Sequence, residues 1–254
     1  MCLSDIFFRT MSLIPVVDFD VYKLGTSDVA DKTLQESSKE IRKAFTKKHW
    51  NRSKRGVYFH LVDRVMDISK KFLLLPEEQK RPFSRGSYAN NGNHGWVSSE
   101  TESLNPLRPG DNNGSTLRSL YYSPVKAESV KKDQLRCGEH SDYGSISLVF
   151  QNQQEGLQVL NRKGEFISAP SIPGTVLINI ADMMQRWTSD VFVSAVHRVL
   201  LPPVCDSSPR QSLVFFVQPD DDAIITCCDG SNKYPPVKSL DYLLSRFNDT
   251  YGRK

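Results

Sequence analysis

The pattern of apolar and polar residues changes character near Leu117. Before this residue, apolar side chains recur at helical spacing, most clearly from Leu61 to Leu75 and less clearly from Asp31 to about Ala44. After it, short β-branched and aromatic runs alternate with turns that contain Gly, Pro, Asn or Asp. The pattern therefore predicts a chain that is mainly β, with helices flanking the strands.

Shorter elements complete this prediction. Residues 14–19 are typical of a short strand, and Glu77–Lys80, which follows Pro76, is typical of a short helix. Residues 84–116 are rich in Gly, Asn, Ser and Pro, which indicates a loop. The last segment, Ser239 to Tyr251, carries leucines at helical spacing and predicts an amphipathic helix.

The chain divides into two regions on this pattern. Residues 1–110 form a helical and strand region that ends in the Gly-rich loop, and strands dominate residues 111–254. A chain of 254 residues is long enough to bury a sizeable core. We find no internal repeat and no low-complexity segment.

Composition and charge narrow the cellular setting. The net charge of +4 is modest, so it does not argue for nucleic acid, although it favours anionic small molecules. No apolar stretch is long enough to span a bilayer, and the first residues lack the pattern of a secretory signal. The five cysteines are an odd number without Cys-x-x-Cys spacing, which indicates reduced thiols rather than disulfides or a zinc site. We therefore expect a cytoplasmic protein without nucleic-acid or membrane partners, and its oligomeric state stays open.

Two histidines and one aspartate offer the donor atoms of an iron site. His140 and Asp142 are one residue apart, so on a strand both would point to the same face. The run Ser145–Phe150 also predicts a strand, whose even-numbered residues would share that face. His197 lies in Val191–Leu200, a third predicted strand. Two imidazoles and one carboxylate can bind one face of Fe(II) and leave the opposite face open.

A carboxylate clamp is predicted further along the chain. Arg210 and Ser212 open the predicted strand Leu213–Val217 and share one face of it. An arginine fork and a hydroxyl at this spacing can bind a dicarboxylic acid. Taken singly, an Arg-x-Ser is more often a solvated strand edge, and a lone strand histidine is more often structural. The ordered set, with each part in a predicted strand of consistent facing, favours a metal site with a clamp.

These segments resemble the Fe(II)/2-oxoglutarate-dependent dioxygenases of the isopenicillin N synthase-like superfamily. Gly138–Gly144 resembles the family's His-x-Asp segment, and Ala195–Val199 resembles its distal His-Arg-Val segment. Arg210–Ser212 is similar to its Arg-x-Ser motif. Leu117–Pro124 resembles the strand before the metal site, in which Tyr122 matches a tyrosine that can contact 2-oxoglutarate. The resemblance reaches both ends of the chain.

The resemblance implies a double-stranded β-helix, or jelly-roll, core over residues 111–254, with Fe(II), 2-oxoglutarate and O2 as the reacting partners. It implies that Fe(II) is held by His140, Asp142 and His197. It also implies that the far carboxylate of 2-oxoglutarate is bound by Arg210, Ser212 and Tyr122. The expected reaction is oxidation, in most cases hydroxylation, of an unidentified small organic molecule, with release of succinate and CO2. Two alternatives stay open: an oxidase that does not use 2-oxoglutarate, and a shortened, catalytically impaired relative that acts only by association.

Two segments depart from the family pattern. Members usually have a strand at the place of Lys47–Gly56 and a long helical segment at the place of 108–117, and neither matches here. We therefore expect both pieces to be missing from this chain. The basic run Arg42–Arg55 has seven basic residues and no acidic one. A solvated loop or helix face explains it better than a nucleic-acid patch, because only Trp50 could stack on bases.

The sequence gives the least information about which residues line the substrate pocket. Asn93, His94 and Trp96 could line its mouth, and strand alternation points one of Phe215 and Phe216 inward. Ordinary loop or core packing is the more frequent role for such residues. Another acidic candidate, the aspartate at position 182, is expected to end a strand at a turn.

Overall fold

Strands and helices are described over most of the chain. The structure is a computed structural model that covers residues 14–19, 31–48, 50–53, 58–84, 95–97, 114–125, 133–202 and 208–251. Within these ranges the strands are β1 (Val16–Val17), β2 (Trp50–Ser53), β3 (Thr116–Tyr122), β4 (Leu135–His140), β5 (Ile146–Gln151), β6 (Leu157–Leu160), β7 (Phe166–Ser168), β8 (Val176–Ile180), β9 (His197–Leu200), β10 (Arg210–Val217), β11 (Ile224–Ile225) and β12 (Val237–Lys238). The α-helices are α1 (Asp31–Lys48), α2 (Phe59–Leu73), α3 (Glu77–Lys80), α4 (Asp182–Trp187) and α5 (Ser239–Tyr251), and a 3₁₀ turn at Arg81–Phe83 follows α3.

Two facing sheets form the predicted jelly roll. One has the strand order β1-β2-β8-β5-β10-β3, and the other has the order β4-β9-β6-β7. Neighbouring strands are antiparallel except β1 and β2, which are parallel. Both sheets contribute to one buried cluster, with Val149 and Val214 from the first sheet and Val159 and Val199 from the second. The predicted fold class, mainly β with flanking helices and a jelly-roll core, is therefore confirmed.

The predicted helices are also confirmed, with small shifts at their ends. The apolar stripe from Leu61 to Leu75 corresponds to α2, and the weaker stripe from Asp31 corresponds to α1. The segments predicted as a short helix after Pro76 and as a C-terminal helix are α3 and α5, with the predicted bounds. Helix propensity and apolar spacing agreed in these segments, so local signals were sufficient.

Helix α1 covers the outer surface of the six-stranded sheet, where Phe45 packs against apolar residues of β8. Three partly buried residues of β5 join this outer cluster, namely Ile146, Leu148 and Phe150. The prediction that these residues share the face of His140 and Asp142 is wrong. Instead, β5 presents Ser147 and Val149 to the interior. Alternation cannot be continued from β4 into β5, because the chain leaves the sheet between them.

A strand is present where one was expected to be missing. The segment Trp50–Ser53 is β2, which pairs with β8 and with β1. The interpretation of the basic run as a solvated surface is also wrong at Arg52, which is only 2% exposed because it shares the inner face of the sheet with Trp50. Sheet pairing has overridden the polar local sequence here.

The strand predicted over Val191–Leu200 is shorter than expected, because only His197–Leu200 forms β9. Before it, the chain makes a turn in which Ser189 and Asp190 have positive φ. Ala195 then donates a single backbone hydrogen bond to Ile180. The β-branched residues of this segment pack without regular pairing, which begins only where β4 and β6 flank the chain.

Several predictions lie outside the described residues. They include most of the Gly-rich loop, with Asn93 and His94, the segment expected to lack a helix, and the boundary at residue 110. Trp96 is described, and its ring lies under the Lys80 ammonium group at 4.8 Å. Across the part of the chain that the structure covers, no helix is both long and apolar enough to cross a membrane.

Gly144 gives a test of the close packing between the loop that precedes β5 and the end of β10. A Cβ at this position would lie 2.5 Å from the Val217 carbonyl oxygen and 2.6 Å from Gln218 Oε1, whereas a Cβ at Gly138 would meet no atom within 4 Å. We expect Gly144→Ala to lower the free energy of unfolding by about 2 kcal/mol, since a backbone oxygen cannot move aside cheaply. Thermal unfolding should shift down by roughly 4–8 °C.

Gly138→Ala is the matched control, because it adds the same methyl group to β4, which carries a proposed site residue. Its unfolding midpoint should stay within about 2 °C of the unmodified chain. Equal shifts in the two variants would contradict the close approach at Gly144.

Candidate metal centre and carboxylate clamp

Two strands and one loop bring together the three residues predicted to bind a metal. His140 ends β4, His197 begins β9, and the two are register partners across the second sheet. Asp142 lies two residues beyond β4, in the loop that leads to β5. One ligand atom from each of the three lies within 4.8 Å of the others. In the described part of the chain, this is the one group of three or more His, Cys, Asp or Glu residues that could hold a metal ion.

Both imidazole rings are oriented by backbone carbonyl groups. His140 Nδ1 lies 2.8 Å from the Gly138 oxygen, and His197 Nδ1 lies 3.0 Å from the Ala195 oxygen. With Nδ1 as the hydrogen-bond donor, each ring in its neutral form keeps Nε2 as a free electron-pair donor. The ring centroids are 4.2 Å apart, and the indole ring of Trp50 packs edge-on against His197 at 5.3 Å. The rings therefore have little freedom to turn away from a shared point.

The Asp142 carboxylate is buried and held on one side. Its Oδ2 accepts a hydrogen bond of 2.8 Å from Asn179 Nδ2, while Oδ1 lies 3.9 Å from His197 Nε2. Ser147 lies next to the carboxylate on β5. The backbone of the loop is fixed as well, because the amide of the residue that begins α4 donates to the Asp142 carbonyl oxygen. One carboxylate oxygen is thus used for positioning, and the other faces the imidazoles.

The pKa values follow from burial and from these neighbours. Burial opposes ionisation of Asp142, but its electrostatic interaction with His197 and the side chains of Ser147 and Asn179 outweigh burial and lower the pKa of the carboxyl. Burial lowers the pKa of His197, which favours its neutral form. Burial also opposes a charge on His140, yet its interaction with Cys137, 3.7 Å from Nδ1, and its other polar neighbours raise its pKa to about 9.

The donor set fits a divalent transition metal. Two imidazole nitrogens and a carboxylate oxygen suit Fe(II), and three ligands on one side leave positions open for other molecules. Three ligand atoms that share one side of an ion, each about 2.1 Å from it and at right angles, lie about 3 Å apart. The three candidate ligand atoms lie within 4.8 Å of one another, so the side chains would have to draw closer together to hold an ion.

The predicted clamp lies on the inner face of the six-stranded sheet. Arg210 is 2% exposed, its Nη2 donates to Gln151 Oε1 at 3.0 Å, and its Nη1 lies 3.4 Å from Ser212 Oγ. The guanidinium carbon is 5.6 Å from the ring centroid of Tyr122, which is the register partner of Arg210 on β3. The three residues predicted as a clamp therefore lie together.

No carboxylate neutralises Arg210 among the side chains that the structure describes, and its Nε has no hydrogen-bond partner. Burial lowers the pKa of this arginine, and Tyr122 partly opposes that shift. A buried guanidinium without an anion is costly, so an incoming carboxylate would stabilise it. This unpaired buried charge fits the carboxylate end of a small dicarboxylic acid.

The clamp and the three candidate ligands face one interior. Strand β5 points two residues inward that are four positions apart, Ser147 and Gln151. Ser147 lies beside Asp142, and Gln151 lies beside Arg210. That separation is about 13 Å along β5. A five-carbon chain, extended by a metal contact at one end and a guanidinium contact at the other, is of this length.

Asp182 connects the candidate site with the C-terminal helix. It begins α4 directly after β8, so the predicted strand end is correct but the turn is a helix start. Its carboxylate accepts a hydrogen bond from Ser194 Oγ and lies 3.3 Å from Arg246 Nε on α5. Arg246 and Phe247 pack in turn on the ring of Tyr143, next to Asp142. The loop that carries Asp142 and the segment that leads to His197 are thereby tied to one helix.

The sequence reasoning missed Asn179, Trp50 and Gln151, which contact the predicted residues. An amide inside the otherwise apolar strand Val176–Ile180 was an available signal for Asn179, since buried amides need partners. Nothing local marked Trp50 or Gln151, because their roles depend on strand pairing. Of the two phenylalanines considered for the substrate pocket, Phe216 packs towards the interior cluster and Phe215 is 37% exposed on the outer face.

Comparison with known proteins agrees with this geometry. Residues 113–219 match the family described as the 2OG-Fe(II) oxygenase superfamily. The 2-oxoglutarate-dependent dioxygenase htyE of Aspergillus rugulosus is 37% identical over 156 residues, which cover 55% of this chain and 47% of that protein. The 2-oxoglutarate-Fe(II) type oxidoreductase hxnY of Emericella nidulans is 30% identical over 146 residues, covering 55% and 41%. The matches span less than half the length of these relatives.

Solved structures show the same fold over a larger share of the chain. A full-length Neurospora crassa protein, crystallised in complex with alpha-KG and thymine, superposes with a TM-score of 0.78 at 25% identity. The superposition covers 94% of this chain and 97% of that one. The rice dioxygenase for auxin oxidation is similar in fold, with a TM-score of 0.71 at 17% identity, covering 95% and 96%.

The raised pKa of His140 predicts that metal binding releases a proton. Because the pKa of His140 is about 9, this imidazole is protonated at neutral pH. The lowered pKa values of Asp142 and His197 favour the ionised carboxylate and the neutral imidazole, which are the forms that bind a metal. Calorimetric titration with Mn(II) at pH 7.5, in buffers of different ionisation enthalpy, should show about one proton released per ion. Affinity should rise roughly tenfold per pH unit between pH 6.5 and 8.5.

The matched control is His60→Gln, which removes an imidazole at the start of α2, outside the candidate site. It should leave both the affinity and the proton count unchanged. A pH-independent affinity in the unmodified chain would contradict the protonated state of His140.

Proposed function

We propose that this chain, whose residues 113–219 match the 2OG-Fe(II) oxygenase superfamily, is a Fe(II)- and 2-oxoglutarate-dependent oxygenase. It oxidises a C–H bond of a small organic molecule, and hydroxylation is the expected outcome. The overall reaction consumes 2-oxoglutarate and O2 and yields succinate, CO2 and the oxidised product. In this proposal His140, Asp142 and His197 hold the iron, and residues 111–254 form the catalytic domain.

The observation that carries the proposal is the unneutralised Arg210 facing the same interior as the His-Asp-His group. Two imidazoles and a carboxylate alone would fit many metal sites. A buried arginine fork at the other end of one inner sheet face adds the requirement for an anion. An organic acid that can reach both the metal and Arg210 satisfies both requirements at once.

The side chains supply orientation and electrostatic stabilisation. Arg210 binds the far carboxylate of 2-oxoglutarate through its planar fork, and Ser212 donates a hydrogen bond to the same group. Tyr122 closes the pocket beside them. Asn179 keeps the Asp142 carboxylate ionised and turned towards the imidazoles. When bound, iron and 2-oxoglutarate supply the activation of O2 that the protein itself cannot perform.

The substrate is proposed as a small molecule that enters beside the three metal-binding residues. Phe216 lies opposite Ser147 in the register of β10 and β5, so its ring faces the interior close to Asp142. An aromatic ring at this point favours a planar or apolar substrate group. Two structures of the Neurospora crassa protein contain thymine and 5-formyluracil, which are ligands of that protein. They support a small organic substrate of unidentified structure for this chain.

Two other functions lead to different measurements. An oxidase that does not use 2-oxoglutarate would consume O2 at the same rate with and without it. A shortened, inactive relative would form no succinate, and its unfolding midpoint would not rise with Mn(II) and 2-oxoglutarate, because ligands stabilise only a state that binds them.

The central test measures succinate formed by the purified, Fe(II)-loaded chain under air. We expect 2-oxoglutarate-dependent succinate formation that is slow without substrate, and a loss of at least about 100-fold in Asp142→Ala, because two imidazoles alone bind the metal poorly. The control His60→Gln should retain the original rate. Unchanged turnover in Asp142→Ala would refute the assignment of this carboxylate.

A second test separates co-substrate binding from the chemical step. Arg210→Gln should raise the KM for 2-oxoglutarate by at least about thirtyfold, because it removes a charge-assisted pair in a buried site. The value of kcat at saturating 2-oxoglutarate should change by less than about threefold. Arg210→Lys should be intermediate, since it keeps the charge but not the fork. The control is Arg64→Gln on the exposed side of α2, and an Arg210→Gln effect confined to kcat would contradict the clamp.

A further inference from the structure

A second arginine approaches the clamp from the other sheet. Arg136 belongs to β4, an edge strand of the four-stranded sheet, whereas Tyr122 belongs to β3, an edge strand of the six-stranded sheet. The Arg136 guanidinium carbon lies 5.7 Å from the Tyr122 ring centroid. Its Nη2 also donates to the carbonyl oxygen of Ser123, at 3.3 Å. These contacts hold the guanidinium at the seam between β3 and β4.

Two guanidinium groups therefore share one phenol ring. Arg210 approaches Tyr122 from the barrel interior at 5.6 Å, and Arg136 approaches the same ring from the seam at 5.7 Å. The two guanidinium carbons are consequently within roughly 11 Å of each other, comparable with the screening length of about 8–10 Å at physiological salt. Arg210 is buried, so solvent screens the interaction between the two charges less than it would at the surface.

Two like charges at this separation repel one another. The charge of Arg136 contributes to lowering the pKa of Arg210, after the larger effect of burial. No carboxylate pairs with Arg210 in the described ranges to relieve this repulsion. An anion bound at Arg210 would interact favourably with both cations, because Coulomb attraction extends over this distance in a partly buried site.

We propose that Arg136 is a second cationic determinant of co-substrate specificity, which selects 2-oxoacids that carry a second carboxylate. Arg210 makes the direct contact, and Arg136 adds long-range attraction through the wall formed by Tyr122. This proposal rests on the proposed function. It goes beyond the Arg-x-Ser motif, because Arg136 comes from a different strand of the opposite sheet.

The test compares two ligands that differ only at the far end. The ligands 2-oxoglutarate and 2-oxopentanoate have the same five-carbon chain and the same metal-binding end, but 2-oxopentanoate has a methyl group in place of the far carboxylate. Binding to the Mn(II)-loaded chain is measured by calorimetry without turnover. We expect Arg136→Gln to weaken 2-oxoglutarate roughly tenfold and 2-oxopentanoate by less than twofold.

Two further variants keep the test decisive. Arg136→Lys retains the charge, so it should bind 2-oxoglutarate within about threefold of the unmodified chain. Arg64→Gln, which removes an exposed arginine on α2, should change neither affinity. If Arg136→Gln does not fold, Arg136→Lys is compared with Arg136→Met by the same ratio of the two affinities. The salt dependence of 2-oxoglutarate binding should also be weaker without this charge.

The outcomes separate this proposal from the proposed function. If the unmodified chain binds 2-oxoglutarate no more tightly than 2-oxopentanoate, the clamp and the proposed function both fail. If the unmodified chain discriminates and Arg136→Gln discriminates equally well, the proposed function stands and the role of Arg136 is overturned. Equal weakening of both ligands in Arg136→Gln would also overturn it, because the residue would then act on the shape of the site rather than on the far carboxylate.

Discussion

The burial of the Asp142 carboxylate between two sheets is the constraint on which the site depends. An ionised carboxylate in an apolar interior is unfavourable unless polar groups or cations surround it. Asn179 on β8 and His197 on β9 meet this requirement from opposite sheets. The carboxylate can therefore be both buried and charged only when both sheets are assembled around it, so formation of the proposed metal-binding group and folding of the barrel are coupled.

The same reasoning applies, with the opposite sign, at the other end of the interior. Arg210 is as deeply buried as Asp142, but the side chains that it contacts, Gln151, Ser212 and Tyr122, are neutral. One end of this interior carries the three proposed metal ligands, and the other carries a buried cation that suits an organic anion. A 2-oxoacid with a second carboxylate would be oriented by this arrangement, because only its 2-oxoacid end offers two oxygens to a metal, while its far carboxylate suits the Arg210 fork.

The positions that the sequence reasoning placed wrongly have one cause. Alternation along a strand predicts which residues share a face, but only while the strand continues. Between His140 and Ile146 the chain leaves the sheet, so β5 turns its serine and valine inward and its larger apolar residues outward. At Trp50–Ser53 the local sequence is polar, yet pairing with β8 makes it a strand. In both places tertiary contacts decided what local preference could not.

The sequence by itself determined the residue types of the site, the helices with clear apolar spacing and the mainly β class. These features depend on side-chain chemistry and short-range periodicity, which are present in any window of the chain. Only the tertiary structure decided that His140 and His197 are register partners, that Asn179 and Gln151 support the candidate site, and that Arg136 reaches Tyr122 from the opposite sheet. Contacts between residues far apart in the chain depend on strand order and register, which no local pattern encodes.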